Sequence, residues 1–93
     1  MATQAQLRQR RTDHDLIARA AESVRRRARR QQAESAVGRA PIVPYGRYVL
    51  VGFLDELALA ASRGELPAGV RRVGLELCGE LLGETSGDPT QRA

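Results

Sequence analysis

The stretch "TDHD" (12–15) sets the single histidine of the chain between two carboxylates. These are residue types that can hold a metal ion or move a proton. On a helix, however, adjacent side chains point to different faces, so His14 does not share a metal with Asp13 and Asp15 there. The ordinary reading is an acid-rich helix start, where the macrodipole favours negative charge. Cys78 is the one thiol, which rules out an intramolecular disulfide, and no His or Cys stands near it in sequence to suggest metal spacing. Its nearest charges, Glu76 and Glu80, do not activate a thiol, so Cys78 reads as a small buried hydrophobe. The single His has no Ser or Cys partner in a sharp turn, and no glycine-rich phosphate loop is present. The acid pairs Asp55–Glu56 and Glu76–Glu80 fall on expected wet faces rather than in a pocket. The expectation is a protein that is not an enzyme, with no cofactor and no metal.

The other chemistry-bearing stretch is "VRRRARRQQ" (24–32). All 15 basic side chains are arginine, with no lysine in the chain. This is the mark of a GC-rich coding sequence, so the preference for guanidinium over ammonium carries little information while the charge itself does. Residues 1–40 hold ten arginines against four acids, and residues 41–93 hold five against seven; +6 and −2 make the net +4. Such asymmetry points to an anionic partner for the first half, or to attraction between opposite halves of the chain or of two copies. Arg8, Arg11, Arg19, Arg26, Arg29 and Arg30 share one helical arc, with Asp15 and Glu22 inside it. Arg25 and Arg27 flank the arc at opposite edges. Two readings stay open: a solvated face laced by i,i+4 pairs (Asp15–Arg19, Glu22–Arg26), or a grip on phosphates through Arg25, Arg26, Arg29 and Arg30 without base readout.

Helices must position these groups. Thr12 with Asp15 has the form of a capping box, and a strongly helical stretch follows to Gly38; Thr3 with Gln6 offers an earlier start. Ile17, Ala20, Ala21, Val24 and Ala28 form a narrow stripe whose small side chains admit a close neighbour. "GRAPIVPYG" (38–46) breaks the pattern and reads as an extended crossing. The spacing predicts a second helix from about Tyr45 to Ser62 with Leu50, Phe53, Leu54, Leu57 and Ala61 on its packing side, although "RYVLVGF" is also rich in strand formers. Gly64 suits a C-cap and Pro67 a first helical turn, opening a third helix to about Gly83. There Leu66, Val70, Val73, Leu77 and Leu81 repeat at helical spacing, and Leu75, Cys78 and Leu82 widen the apolar arc beyond half the circumference. Arg72, Glu76 and Glu80 remain as the wet strip.

The sequence therefore predicts an all-α protein in which a long basic N-terminal helix packs against a two-helix hairpin, completed by self-association or a partner. The boundaries are a frayed segment 1–11, a single helical domain 12–84 and a disordered tail 85–93. A basic leucine zipper is excluded, because no leucine heptads follow the basic run. A helix-turn-helix over 56–75 is disfavoured by Arg63 and Glu65 at apolar positions and by Glu76 and Glu80 on the would-be recognition helix. The longest apolar run, "YVLVGFL", is too short to span a bilayer, and the arginine-bearing N-terminus lacks an apolar segment of the signal type. A cytoplasmic location without membrane contact is expected. The expected function is that of a non-enzymatic adaptor or self-associating regulator. Its partner surface would draw on Leu75, Cys78 and Leu82 of the third helix and on Ala21, Val24 and Ala28 of the first.

Overall fold

The computed structural model of the chain describes residues 2–38 and 45–86. It consists of α1 (Gln4–Ala36), α2 (Tyr45–Arg63) and α3 (Ala68–Ser86). No strand occurs among the described residues, so the β-rich start of α2 is helical. Of the crossing anticipated over 38–46, Tyr45 and Gly46 already belong to α2, and residues 39–44, with "PIVP", lie outside the described residues. Of the tail expected over 85–93, Thr85 and Ser86 belong to α3, and residues 87–93 lie outside the described residues.

α1 starts at the earlier of its two caps. The Thr3 hydroxyl accepts from the Gln6 amide at 3.1 Å while the Gln6 side chain accepts from the Thr3 amide at 2.8 Å, a complete capping box. Thr12 is no cap: its hydroxyl donates to the Arg8 carbonyl at 3.0 Å inside the helix. Residues 4–11, expected to fray, are instead the first turns of α1, and Arg10 in that segment lies directly against Gly64. At 33 residues α1 is about 50 Å long. It ends with Gly38 at φ +76°. α2 ends in a Schellman turn, the Glu65 amide bonding Ala60 and the Gly64 amide bonding Ala61, with Gly64 at φ +69° in the left-handed region only glycine adopts cheaply.

The overall extents are 54 × 32 × 19 Å. With helices about 10 Å across, the short dimension is two layers: α1 in one, α2 and α3 in the other. Both upper helices pack on α1 and hardly on each other. The α1 stripe of Ile17, Ala20, Ala21, Val24 and Ala28 is buried as its spacing implies, and it meets Val51, Leu54, Leu57, Ala58 and Ala61 of α2 and Cys78 of α3. Burying a stripe of alanines lets the axes approach closely but removes little apolar surface per residue.

α2 keeps most of the side its periodicity suggested, and α3 is rotated from it. On α2, Leu54, Leu57 and Ala61 are buried as expected, joined by Val51 and Ala58, and Leu50 packs against the core, while Phe53, expected in the core, is 51% exposed. On α3 the inward residues are Gly74 and Cys78, with Leu75 and Leu82 half-buried beside them. Val70 and Val73 of the expected stripe are 45% and 54% exposed, and Leu77 is half-buried rather than central. The cause is steric. A Cβ on Gly74 would stand 2.9 Å from the Leu57 side chain, so only the Gly74/Cys78 side of α3 lets it sit this close to its neighbours. Arg72, Glu76 and Glu80 form the exposed strip, as expected.

Candidate functional site

Three sets of side chains stand out, and each has a different use. The first ties the layers together. Asp13 sits on the same face of α1 as Ile17, Ala20 and Val24, and it is buried. An acid there needs a partner, which α3 supplies: Arg71 donates through Nε to Asp13 Oδ2 at 2.7 Å and through Nη2 to Oδ1 at 3.2 Å, a bidentate pair. That bond raises the Arg71 pKa. Gln9, its amide turned with oxygen toward Arg71, accepts from the same guanidinium. The acid-rich "TDHD" stretch thus divides: Asp13 points inward as a structural acid, and His14 meets Asp15 on the exposed side at 3.1 Å. These neighbouring side chains do touch, contrary to the strict separation expected on a helix.

The second set is the arginine run, which sorts itself by helical angle. Arg25, at one edge, donates to Glu22 at 2.7 Å and reaches across to Asp55 of α2 at 3.0 Å. Arg27, at the other edge, donates to the Leu81 carbonyl of α3 at 3.1 Å. Arg25 bonding is the chief cause that pulls the Glu22 carboxyl below its ordinary value, with Arg29 and Arg26 adding Coulombic pull. Arg25, assigned from sequence to a phosphate-gripping set, is therefore occupied within the fold. Arg26, Arg29 and Arg30 face outward, in line with exposed Arg8, Arg11 and Arg19. Of these, Arg26 lies 3.8 Å from Glu22. Arg8, Arg11, Arg19 and Arg30 make no ion pair among the described residues. The expected Asp15–Arg19 pair is not formed, because Asp15 turns to His14.

The third set is an apolar groove of about 270 Å³ between α2 and α3, lined by Phe53, Leu57, Val70, Val73 and Leu77, with Gly69 and Gly74 on its α3 side. No α1 side chain lines it, so it opens on the layer away from the arginine face. Val49, 53% exposed, lies one turn before Phe53 on the same side of α2.

The six residues expected from sequence to form a partner surface lie in or against the core. Cys78, Ala21, Val24 and Ala28 lie in the core of this same chain, and Leu75 and Leu82 are half-buried against it, so none of the six presents a free face. The exposed apolar surface of α3 belongs to Val70 and Val73. The missed signal is the pair of small residues Gly74 and Cys78 at i and i+4, which marks the side where another helix comes close. Among the described residues no group of acids, His and Cys is placed to hold a metal ion, and no helix is long and apolar enough to cross a membrane. No protein-family model, characterised protein or solved structure matches this chain.

Proposed function

We propose that the protein is a non-enzymatic interaction module that works by self-association, burying the α2–α3 groove of one copy against that of a second. The observation that carries this reading is the groove itself, a concave apolar surface left open where α2 and α3 part company above α1. Its lip carries Phe53, the only phenylalanine of the chain, half exposed. A patch that holds both a projecting ring and a hollow is self-complementary, which is what a two-fold interface requires. The need for it follows from size: among the described residues the largest side chains buried completely are just Ile17, Leu54 and Cys78. A chain of this length buries a modest fraction of its surface alone, and mass action with a second copy adds stability.

Sedimentation over a concentration series tests the proposal. The wild type is expected to pass from monomer to dimer within the micromolar range. Val73→Asp, placed on an exposed position, is expected to remain monomeric while keeping its helical circular dichroism. A wild-type chain that stays monomeric at high micromolar concentration overturns the reading, as does a Val73→Asp variant that dimerises like the wild type.

A further inference from the structure

The outward face of α1 carries a second surface, independent of the groove. Arg8, Arg11, Arg19, Arg26, Arg29 and Arg30 all lie exposed on the side opposite Ile17 and Val24. From Arg8 to Arg30 the strip runs about 33 Å at helical rise. Two acids interrupt it, and each has a partner: Glu22 is bonded to Arg25 at 2.7 Å and also lies 3.8 Å from Arg26 of the strip, and Asp15 is turned to His14 at 3.1 Å, so the strip keeps a surplus of positive charge over its two acids. The structural uses of arginine fall on other residues, with Arg10 against Gly64, Arg25 on Asp55, Arg27 on Leu81 and Arg71 on Asp13. Nor does the helix dipole account for the strip, since no basic residue stands in the last turn of α1, where that effect acts. Arg26 and Arg30, four apart, repel each other along the helix, a small cost to its stability.

We propose that this strip is a docking surface for double-stranded nucleic acid, contacting phosphates without reading bases. The length matches one turn of duplex, about 34 Å. Its arginines stem from a helix whose backbone is already held by the core, so the binding cost in order falls on the side chains alone. α1 carries no Phe, Tyr or Trp, and its one imidazole, His14, is turned to Asp15, so the stacking platform that single strands use is missing from the strip. An anionic membrane is a poorer fit, because surface-lying helices insert an apolar face and that of α1 is sealed against α2 and α3. With no side chain of the strip suited to base edges beyond the arginines themselves, binding should ignore sequence.

The test is a titration of labelled mixed-sequence duplex of about two turns with the full chain, at several salt concentrations between about 50 and 200 mM. Three to five phosphates neutralised give a log–log slope of about −3 to −5, a loss of about two to three orders of magnitude in affinity over that range. Arg26→Gln, Arg29→Gln and Arg30→Gln together should flatten the slope by about two to three units, while Arg72→Gln on the exposed strip of α3 should leave it unchanged. Gln favours helix, and circular dichroism checks that the triple variant folds. If it does not, Arg8→Gln, Arg11→Gln and Arg19→Gln at the other end of the strip make the same test. Val73→Asp should bind with the wild-type slope, which separates this surface from the groove. Absence of duplex binding at the lowest salt overturns the proposal. So does tighter binding to an unpaired strand, binding to anionic vesicles but not duplex, or a slope unmoved by the strip variants.

Discussion

α2 and α3 have the same length, 19 residues each, and both lie on α1, yet they are held by different forces. α2 is held by oil: Val51, Leu54, Leu57, Ala58 and Ala61 are all buried, and the Arg25–Asp55 pair lies at the exposed margin. Among its described side chains α3 buries one completely, Cys78, and it is pinned near its two ends by polar contacts, Arg71 on Asp13 at the start and the Leu81 carbonyl on Arg27 toward the finish. Apolar packing tolerates small shifts, whereas a bidentate ion pair demands geometry. The α1–α2 pair should therefore be the stable unit of the molecule, with α3 the element that opens first.

The sharpest way to break the contrast is Leu54→Ala. Leu54 is fully buried, and its truncation should cost about 2–5 kcal/mol, measured by urea unfolding, enough to threaten the whole of so small a fold. A smaller and more local effect is expected from Asp13→Ala. That change leaves the Arg71 guanidinium without its anion, so hydrogen exchange should accelerate across α3 while the α1–α2 amides keep most of their protection. Equal acceleration in all three helices would mean that α3 is not a separately opening unit. The smallest effect comes from a pair of glycines in α3. Gly79 faces open space, and Gly79→Ala should stabilise the helix by about 0.5–1 kcal/mol. Gly74→Ala has the same propensity gain but meets the Leu57 side chain, so it should fall short of Gly79→Ala in thermal unfolding. Equal gains would mean that α2 and α3 do not touch at that point.

The helix count, the order of elements and the α1 stripe were all legible, because 3.6-residue periodicity on an Ala-rich helix leaves only one apolar side to bury. The direction in which α3 faces was not, and on α2 the placement of Phe53 was missed. α3 carries apolar residues over too much of its circumference for periodicity to choose, and the choice fell to the least conspicuous residues, Gly74 and Cys78, through close approach. The start of α1 was ambiguous for a similar reason, since two caps compete and tertiary contacts of Gln9, Arg10 and Asp13 with the α2–α3 corner decide between them. Asp13 was within reach of sequence reasoning: a carboxylate four residues before Ile17, on the stripe, calls for a buried cation. The outward arc of arginines was read correctly from the helical wheel, but which of the run serve the fold depends on Asp55 and Leu81, about 30 and 54 residues away.

The position of Cys78 makes the molecule its own stopwatch. A thiol reagent in solution cannot meet this sulfur while α3 lies on α1, because the residue is wholly covered. The labelling rate therefore counts the moments when α3 has lifted away, with no probe added by mutation. Burial also pushes the Cys78 thiol above its ordinary value near 9, so the packed form keeps its proton more tightly than the lifted form does. That preference is intact below pH 9 or so and drains away as alkali climbs past the packed-state value. The stopwatch should consequently run faster in alkali than the growth in thiolate alone explains, the excess being the ease with which α3 comes loose.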